Sequence, residues 1–217
     1  MSPVPVLHED EHLLVVDKPA GVLVVDAPGR RDPTLVDLVS RQLGAPVQAV
    51  HRLDEATTGA LVLARTDAAR AAMDTLFRSH AITREYLALT VAAPSPPAGR
   101  IESQLREAAD GVVRVVPRGG QRAVTHYRTL ARRGRCTLVV CRLETGRRNQ
   151  IRAHLAALGC PLAGDRKYGY RARRDERFPR VMLHSWRLEF VHPLTGATVA
   201  VTVPPAEPEL RPEESHA

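Results

Sequence analysis

The sequence has few cysteines, few aromatic residues and no long apolar run, and these shortages exclude several classes of protein. Its three cysteines are an odd number without a C-x-x-C pair, which argues against a disulfide framework and a structural zinc site. No stretch approaches the roughly 20 apolar residues of a membrane-spanning helix, and the start of the chain lacks a signal-peptide pattern. We therefore expect a cytoplasmic protein without a membrane partner.

Lysine is also scarce, since Lys18 and Lys167 are the only lysines among 31 basic residues. Arginine binds phosphate bidentately and stacks on bases, but a genome biased towards arginine explains this preference equally well. Such a bias does not explain why residues 98–190 carry 21 basic and only 8 acidic side chains when the whole chain has a net charge of +7. The clustered charge predicts a polyanionic partner, of which nucleic acid is the commonest.

The order of the predicted elements indicates the fold class. Strands follow one another in hairpin-like succession with a few helices between them, which predicts an α+β fold around a mostly antiparallel mixed sheet with flanking helices. We expect a single domain over residues 1–203, because 217 residues suit one large domain. The Pro- and Glu-rich segment 204–217 is predicted to be a disordered tail.

Local patterns predict the individual elements. Leu13–Val16 and Val22–Val25 resemble two buried strands, and a helix is expected from a cap at Asp32 to a stop at Gly44. Further predictions are a helix that starts at Thr66, a strand over Arg84–Val91, a basic hairpin or loop over Arg100–Tyr127, a strand over Thr137–Leu143, a helix over Gln150–Leu158 and a hairpin over Trp186–Val203.

One loop places polar residues at the end of a strand. Val47–Val50 is strand-like and runs directly into Asp54, and a second apolar strand, Ala60–Ala64, follows a short polar loop. Active-site residues favour such places, because the strand is rigid and the loop is open. The residues alone leave a second interpretation, in which Asp54 is an ordinary turn residue that bonds nearby backbone amides.

A second segment, Glu144–Arg152, starts a helix with several arginines. Positive charge at a helix N-terminus is unfavourable with the macrodipole, so this segment asks for an anionic partner, such as an RNA phosphate or Asp54. A solvated basic helix end is the alternative.

Several segments, in order, resemble the RluA-type RNA pseudouridine synthases. The nine residues from His51 to Gly59 look like that family's H-R-L-D-x-x-T-S-G signature, with Thr58 where Ser is commoner. The other matching segments are Val16–Gly21, Arg84–Ala88, Gly146–His154, Gly159–Asp165, Leu183–His184 and His192–Gly196. In the segment Gly146–His154, Arg148 and Asn149 replace the usual small hydroxyl residue and His.

The resemblance implies a pseudouridine synthase catalytic fold with a central RNA-binding cleft, which isomerises uridine to pseudouridine in ribosomal or transfer RNA. It implies that Asp54 is the essential carboxylate, that Tyr86 lies against the target base and that Arg152 pairs with Asp54. The residues expected to contact RNA are Arg52, His51, Thr58, Arg147, Arg148 and Gln150. No S4-type RNA-binding domain is expected before Leu13.

The reaction has no net redox change and no small co-substrate, so no cofactor is expected. His51, His154 and His184 lack the close spacing of a helical metal site, so no metal ion is expected either. We also expect a monomer.

Two alternative functions stay open. One is an N-glycosidase or nucleoside hydrolase that uses Asp54 and Asp165 as a carboxylate pair and releases a free base. The other is a non-catalytic RNA-binding module, for which the basic middle segment would be the whole function. Activity that survives in an Asp54→Asn variant would favour the second alternative.

Overall fold

A computed structural model describes residues 2–172 and 178–212. In this part of the chain there are eleven strands and three α-helices. The strands are β1 (Val6–Glu9), β2 (Leu13–Lys18), β3 (Gln48–Ala49), β4 (Thr58–Ala64), β5 (Thr83–Thr90), β6 (Ala98–Glu107), β7 (Val113–Val116), β8 (Gln121–Arg133), β9 (Cys136–Leu143), β10 (Leu183–Val191) and β11 (Thr198–Thr202). The helices are α1 (Leu35–Leu43), α2 (Asp67–Arg78) and α3 (Gln150–Ala157). The α+β class with a mixed sheet is thus confirmed.

The chain divides into two compact units. Unit 1 contains residues 1–84 and 185–204, and unit 2 contains residues 85–184 and 205–217. The first boundary lies within β5, not in the Pro-rich segment that follows it. The division does not decide whether residues 1–203 form one domain, so that expectation stays a prediction. Across the described residues, no helix is long and apolar enough to cross a membrane.

Unit 1 is built around β2 and β4, which pair antiparallel from Leu13 opposite Ala64 to Lys18 opposite Gly59. β1 pairs with β2, β3 pairs with the end of β4, β10 lies next to β4, and β11 pairs with β10. The predicted hairpin near the end of the chain is therefore present as β10 and β11. One face of these strands forms an apolar core whose members include Leu13, Val15, Val62, Met73, Leu188 and Phe190.

Helices α1 and α2 follow the local signals of the sequence. The predicted helix at Thr66 is present as α2, and the Thr66 hydroxyl caps it by accepting a hydrogen bond from the amide of Ala69. α1 ends at Gly44 in the left-handed conformation, also as predicted. Its N-cap was placed wrongly at Asp32: the cap is Thr34, which forms a reciprocal capping box with Asp37.

The predicted strand Val22–Val25 was wrong. The structure has irregular backbone there, although Val22 and Val24 are buried as expected. The carbonyls of Leu23 and Val24 accept hydrogen bonds from the amides of Leu35 and Val36 at the start of α1. These carbonyls thus satisfy two of the amides that every helix N-terminus leaves without an intrahelical partner, and the segment caps a helix instead of joining a sheet.

Unit 2 contains the strand order β5-β9-β8-β6-β7, with antiparallel pairs throughout. Residues 100–127, where the pattern was weakest, form most of two strands, β6 and β8, with the short β7 between them. Their alternation is obscured because β6 is largely exposed on both faces. Helix α3 lies against β7 and β8, where Leu105, Val113, Ala123 and Ala153 form a small apolar cluster.

The tail was predicted to be disordered from residue 204, and the structure differs up to residue 212. Pro208–Leu210 form a short 3-10 helix, and Leu210 is fully buried. The arginine Arg180 forms an ion pair with Glu207, with 2.7 Å between Nε and Oε1. The high Pro and Glu content did not indicate that buried Leu210 and the Arg180–Glu207 ion pair hold this segment in place. Residues 213–217 lie outside the described part.

The start of β4 makes a close backbone approach that only glycine allows. Gly59 has φ +103°, and a Cβ at this position would lie 2.2 Å from the carbonyl oxygen of Ser185 in β10. The hydroxyl of Ser185 donates to the carbonyl of Ala60 at 2.9 Å. The strand that follows the Asp54 loop is therefore held against β10 at a fixed distance.

We predict that Gly59→Ala lowers the free energy of unfolding by about 3 kcal/mol or more, through left-handed strain and the clash with Ser185. Gly29→Ala is the matched control, because Gly29 has φ +78° with nothing near its missing Cβ. It should lose only about 1 kcal/mol from left-handed strain. Urea unfolding measures the loss in free energy of unfolding for both variants. Equal losses would show that the close approach to Ser185 does not add to the destabilisation of Gly59→Ala.

Candidate active site

Asp54 lies in the loop between β3 and β4, as the sequence predicted. These two strands pair antiparallel, with Gln48 opposite Ala64. Asp54 is half-buried, and its backbone carbonyl accepts a hydrogen bond from the amide of Thr57 at 3.0 Å. This tight turn presents the carboxylate from a short loop between two strands, an arrangement that suits a reactive group.

The backbone after Asp54 is fixed by a buried lysine. Lys18 is fully buried, and its ammonium donates to the carbonyls of Pro19 at 2.8 Å, Glu55 at 3.0 Å and Thr57 at 2.9 Å. An ammonium group has three N–H donors, so the three carbonyls account for all of them. Two of these carbonyls belong to residues one and three positions after Asp54, and the loop therefore cannot move without breaking charge-assisted bonds.

A second interaction, on the exposed surface, also holds the loop that contains Asp54. The guanidinium of Arg30 binds both carboxylate oxygens of Glu55, at 3.2 Å and 2.9 Å, and also contacts Asp32 at 3.2 Å. The amide of Gly21 donates to the carbonyl of Glu55 at 2.9 Å. The Arg30–Glu55 pair is exposed and screened by water, so it orients the Glu55 side chain more than it stabilises the fold.

His51 was predicted to contact RNA, which stays a prediction, and in the structure its ring also makes contacts within unit 1. Its Nε2 atom accepts a hydrogen bond from the amide of Val62 at 2.9 Å, and the ring lies 4.6 Å from that of Phe77 between centroids. Burial, together with the charge of Arg84, lowers the pKa of His51 to about 3. The imidazole is therefore neutral near pH 7 and ties the start of the loop to β4.

The other predicted RNA contacts of unit 1 are more open. Arg52 is exposed beside Asp54, and Thr58 is half-buried at the first position of β4. Their roles stay predictions. Thr57, which was not singled out, is buried at 2% exposure because its carbonyl faces Lys18.

Tyr86 lies in β5, opposite Cys141 of β9. Simple alternation along β5 would place Tyr86 on the face opposite Leu87 and leave it open, but only 6% of Tyr86 is exposed. Alternation fails here because both faces of the strand are covered, so Leu87 and Ala88 are fully buried on opposite faces. The role of Tyr86 against a base stays a prediction.

Arg152 lies on α3 and is 9% exposed. Its Nε and Nη2 atoms donate to the two carboxylate oxygens of Asp165, at 2.7 Å and 2.8 Å. The ring of Tyr168 lies under the guanidinium, with its centroid 4.9 Å from Cζ. Neither contact was anticipated from the sequence, although Asp165 closes one of the matching segments. The pairing of Arg152 with Asp54 stays a prediction.

Gln150 was predicted to contact RNA, but the structure commits its amide group within the protein. The side-chain carbonyl accepts from the Thr145 hydroxyl at 2.8 Å and from the Arg147 amide at 3.0 Å. The side-chain nitrogen donates to the carbonyl of Val124 at 2.9 Å and the hydroxyl of Thr125 at 3.0 Å. All four hydrogen-bonding positions are therefore used, and Gln150, at 2% exposure, fastens the turn before α3 onto β8.

Arg147 and Arg148, just before α3, are exposed, and their contact with RNA stays a prediction. Arg148 forms an ion pair with Glu107, and Nε of Arg147 donates to the carbonyl of Arg122 at 3.1 Å. Glu107 is thus an anionic partner that the macrodipole argument asked for. Asn149, the departure from the family pattern, has φ 51°, a conformation that Asn tolerates better than most residues.

His154, the histidine of α3, is fully buried between two hydroxyl groups. Its Nδ1 lies 2.9 Å from the hydroxyl of Thr125 and its Nε2 lies 2.9 Å from that of Ser103. Burial lowers its pKa to about 4, so the ring is neutral near pH 7. Within residues 2–172 and 178–212, no three His, Cys, Asp or Glu side chains are grouped to hold a metal ion.

Unit 2 also carries a set of exposed arginines. Those on β6, β8, β9 and the adjoining turns that have no ion pair with another described residue are Arg106, Arg118, Arg128, Arg132, Arg135 and Arg142. A protein surface that keeps this many unneutralised guanidinium groups is suited to a polyanion.

Comparison of the chain with known proteins identifies the family that it resembles. The family model described as RNA pseudouridylate synthase matches residues 12–157. The chain is 37% identical to the ribosomal large subunit pseudouridine synthase D of Zymomonas mobilis over 215 residues, covering 91% of this chain and 68% of that protein. It is 39% identical to the protein of the same name from Nitrosomonas europaea, covering 89% of this chain and 60% of that protein.

Solved structures give the same result. The human RNA pseudouridylate synthase domain containing 1 protein matches with a TM-score of 0.78 and 25% identity, over 96% of this chain and 88% of that one. The human domain containing 4 protein matches with a TM-score of 0.73 and 28% identity, over 92% and 87% of the two chains. The chain spans about two thirds of the length of the curated relatives but most of these solved chains.

We predict that Lys18→Met lowers the free energy of unfolding by about 3 kcal/mol, because it leaves three carbonyls without their charged donor. Amide hydrogen exchange at Thr57 should become faster in the folded state. Lys167→Met is the matched control: Lys167 is exposed and donates to one carbonyl, that of Gly111. It should stay within about 0.5 kcal/mol of the wild type. Similar losses in urea unfolding for the two variants would contradict the role of Lys18.

Proposed function

Because this chain belongs to the RNA pseudouridylate synthase family, we propose that it converts uridine to pseudouridine in ribosomal RNA of the large subunit, with Asp54 as its catalytic carboxylate. The family gives the reaction class, and the names of the bacterial relatives support the choice of RNA. The observation that carries the assignment of Asp54 is its loop, in which the family signature coincides with a half-buried carboxylate on a backbone fixed by Lys18.

The reaction breaks the bond between N1 of uracil and C1′ of ribose, turns the base, and joins C5 to C1′. The C5 hydrogen then leaves as a proton and N1 takes up a proton, so the product has the same mass as the substrate. A carboxylate beside the ribose can bond to C1′, stabilise its oxocarbenium character or act on the ribose as a base. Each of these roles requires a carboxylate held at a fixed place, which is what the loop around Asp54 provides.

A uridine stacked in a helix is unreachable, so the target nucleotide must leave its stack and enter the site. Arg52 is exposed beside Asp54, where it can help displace the nucleotide or fill the space it leaves. In this proposal Tyr86 offers a ring to the flipped base, and Arg152 pairs with Asp54 to keep the carboxylate aimed. The resemblance to the family supports both of these roles.

The basic surface of unit 2 supports RNA as the partner. The exposed arginines of β6, β8, β9 and the adjoining turns, together with Arg147, supply positive charge that duplex or single-stranded RNA neutralises. We place the enzyme in the cytoplasm as a monomer that needs no metal ion or cofactor. The balance of the reaction, which needs neither a redox step nor a co-substrate, supports the last point.

The hydrolase alternative required Asp165 as a second catalytic carboxylate. Asp165 is 1% exposed, and both of its oxygens bind Arg152. A carboxylate held in a buried ion pair is poorly suited to give a proton to a leaving group, so the geometry favours the isomerase. A hydrolase would release free uracil, whereas the isomerase leaves the base attached to the RNA.

We predict that Asp54→Asn abolishes pseudouridine formation, by at least about 10³-fold, while affinity for RNA changes only a few-fold. The chemistry depends on the carboxylate, whereas affinity comes from many phosphate contacts. The measurements are tritium release from C5-labelled ribosomal RNA and filter binding of the same RNA.

The control variant for this test is Asp32→Asn, which removes an exposed carboxylate bonded to Arg30 in the same unit. It should retain tritium release. Tritium release by Asp54→Asn at the control rate would show that Asp54 is not catalytic. Free uracil as the product would replace the isomerase by the hydrolase, and a large loss of RNA binding would give Asp54 a role beyond chemistry.

A further inference from the structure

We infer that Asp165 and Tyr168 are positioning residues that hold the guanidinium of Arg152 for turnover, Asp165 along its edge and Tyr168 on its face. The inference rests on the proposed function in one respect, namely that Arg152 takes part in the reaction. The contacts themselves all lie within unit 2.

The ion pair between Arg152 and Asp165 is nearly free of water. The side chains are 10% and 1% exposed, and two parallel hydrogen bonds of 2.7 Å and 2.8 Å join them. Burying two charges costs desolvation energy that a buried pair recovers only in part, so such a pair is weak evidence for stability. What it does provide is direction, because a bidentate pair fixes the plane of the guanidinium as well as its position.

Tyr168 fixes the remaining freedom of that plane. Its ring centroid lies 4.9 Å from Cζ of Arg152, within the range of a cation–π contact. The Tyr168 hydroxyl accepts a hydrogen bond from the amide of Val113 in β7 at 3.0 Å and donates to Oδ1 of Asn149 at 3.3 Å. The ring is therefore anchored at its tip to the sheet and to the residue that precedes α3.

The segment that carries both residues is itself held rigidly. Gly164 has φ +80°, and a Cβ there would lie 1.9 Å from the carbonyl oxygen of Arg180, so this turn tolerates only glycine. The carbonyl of Asp165 accepts hydrogen bonds from the amides of Tyr168 at 3.1 Å and Tyr170 at 3.0 Å. Asp165 and Tyr168 thus belong to one compact turn and reach Arg152 as a unit.

The same turn is joined to the strand that carries Tyr86. The amide of Ala163 donates to the carbonyl of Leu89 at 2.8 Å, and the amide of Val91 donates to the carbonyl of Pro161 at 3.0 Å. The backbone of β5 therefore supports both Tyr86 and, through this turn, Arg152. Two of the three proposed catalytic residues share one rigid frame, which is what precise placement of a reactive geometry requires.

The charge balance separates this role from RNA binding. Asp165 neutralises Arg152, so the pair as a whole adds no net positive charge for a phosphate, unlike the exposed arginines of unit 2. Loss of Asp165 uncovers one positive charge, but that charge is almost fully buried, so the loss should impair turnover and leave affinity for RNA nearly unchanged. A residue with a merely structural role would change stability without this split between kcat and KM.

The test compares Asp165→Asn, which keeps the shape but removes the charge, with Tyr168→Phe and Tyr168→Leu, in single-turnover and steady-state assays on ribosomal RNA. We expect kcat to fall about 10²-fold in Asp165→Asn with KM within about threefold of the wild type. Tyr168→Phe keeps the ring face and should stay within about threefold, whereas Tyr168→Leu loses it and should fall about tenfold in kcat.

Asp110→Asn is the matched control, because Asp110 forms a bidentate pair with Arg114 in the same unit, but an exposed one. It should leave kcat and KM unchanged. A double-mutant cycle gives the sharpest readout: if Asp165 acts through Arg152, then Asp165→Asn should slow turnover no further in an Arg152→Met background.

Wild-type kcat in Asp165→Asn would overturn the inference, and so would a rise of KM at unchanged kcat or an additive loss in the double variant. If Asp165→Asn does not fold, the two Tyr168 variants decide, since Tyr168 is only half-buried. Equal rates for Phe and Leu would then overturn it. A failure of the proposed function can be told apart from a failure of this inference. The first would appear as activity in Asp54→Asn, whereas the second would appear as wild-type turnover in the Asp165 and Tyr168 variants.

Discussion

The ammonium group of Lys18 is the interaction on which the site depends. A loop between two strands normally keeps some freedom, because water can replace its internal hydrogen bonds. Here a fully buried cation binds the carbonyls of Glu55 and Thr57, and any opening of the loop would leave that cation without its acceptors. His51, which accepts the amide of Val62, fixes the other end. Asp54 lies between these two ties, on a backbone that is set before RNA arrives.

The sequence predicted best those parts of the fold that local signals determine. The helix start at Thr66, the stop at Gly44 and the alternating strands β10 and β11 all appear as expected. The failures arise where tertiary contacts decide. Val22–Val25 has the composition of a strand, but the carbonyls of this segment serve as partners for α1. Leu210 is a single apolar residue in a polar tail, too little for a sequence pattern, yet a buried site receives it.

The same distinction applies to the site. The position of Asp54 at a strand end followed from the sequence, and the resemblance to the family signature predicted that Asp54 is the essential carboxylate. Which polar side chains form hydrogen bonds within the protein could not be deduced, because residue spacing does not show the partners of a side chain. Gln150 and His51 match family segments but are committed to backbone and hydroxyl partners. The bond between Arg152 and Asp165 joins residues 13 apart across a turn, which no local period indicates.

The most direct measurement of the central claim is a map of pseudouridines in RNA from cells of the source organism that lack this gene, complemented with either the wild type or Asp54→Asn. The account predicts that at least one uridine of large-subunit ribosomal RNA loses its modification in the deletion strain. The wild type should restore the modification and Asp54→Asn should not, although both proteins accumulate. Restoration by Asp54→Asn, or changes confined to transfer RNA, would contradict the account.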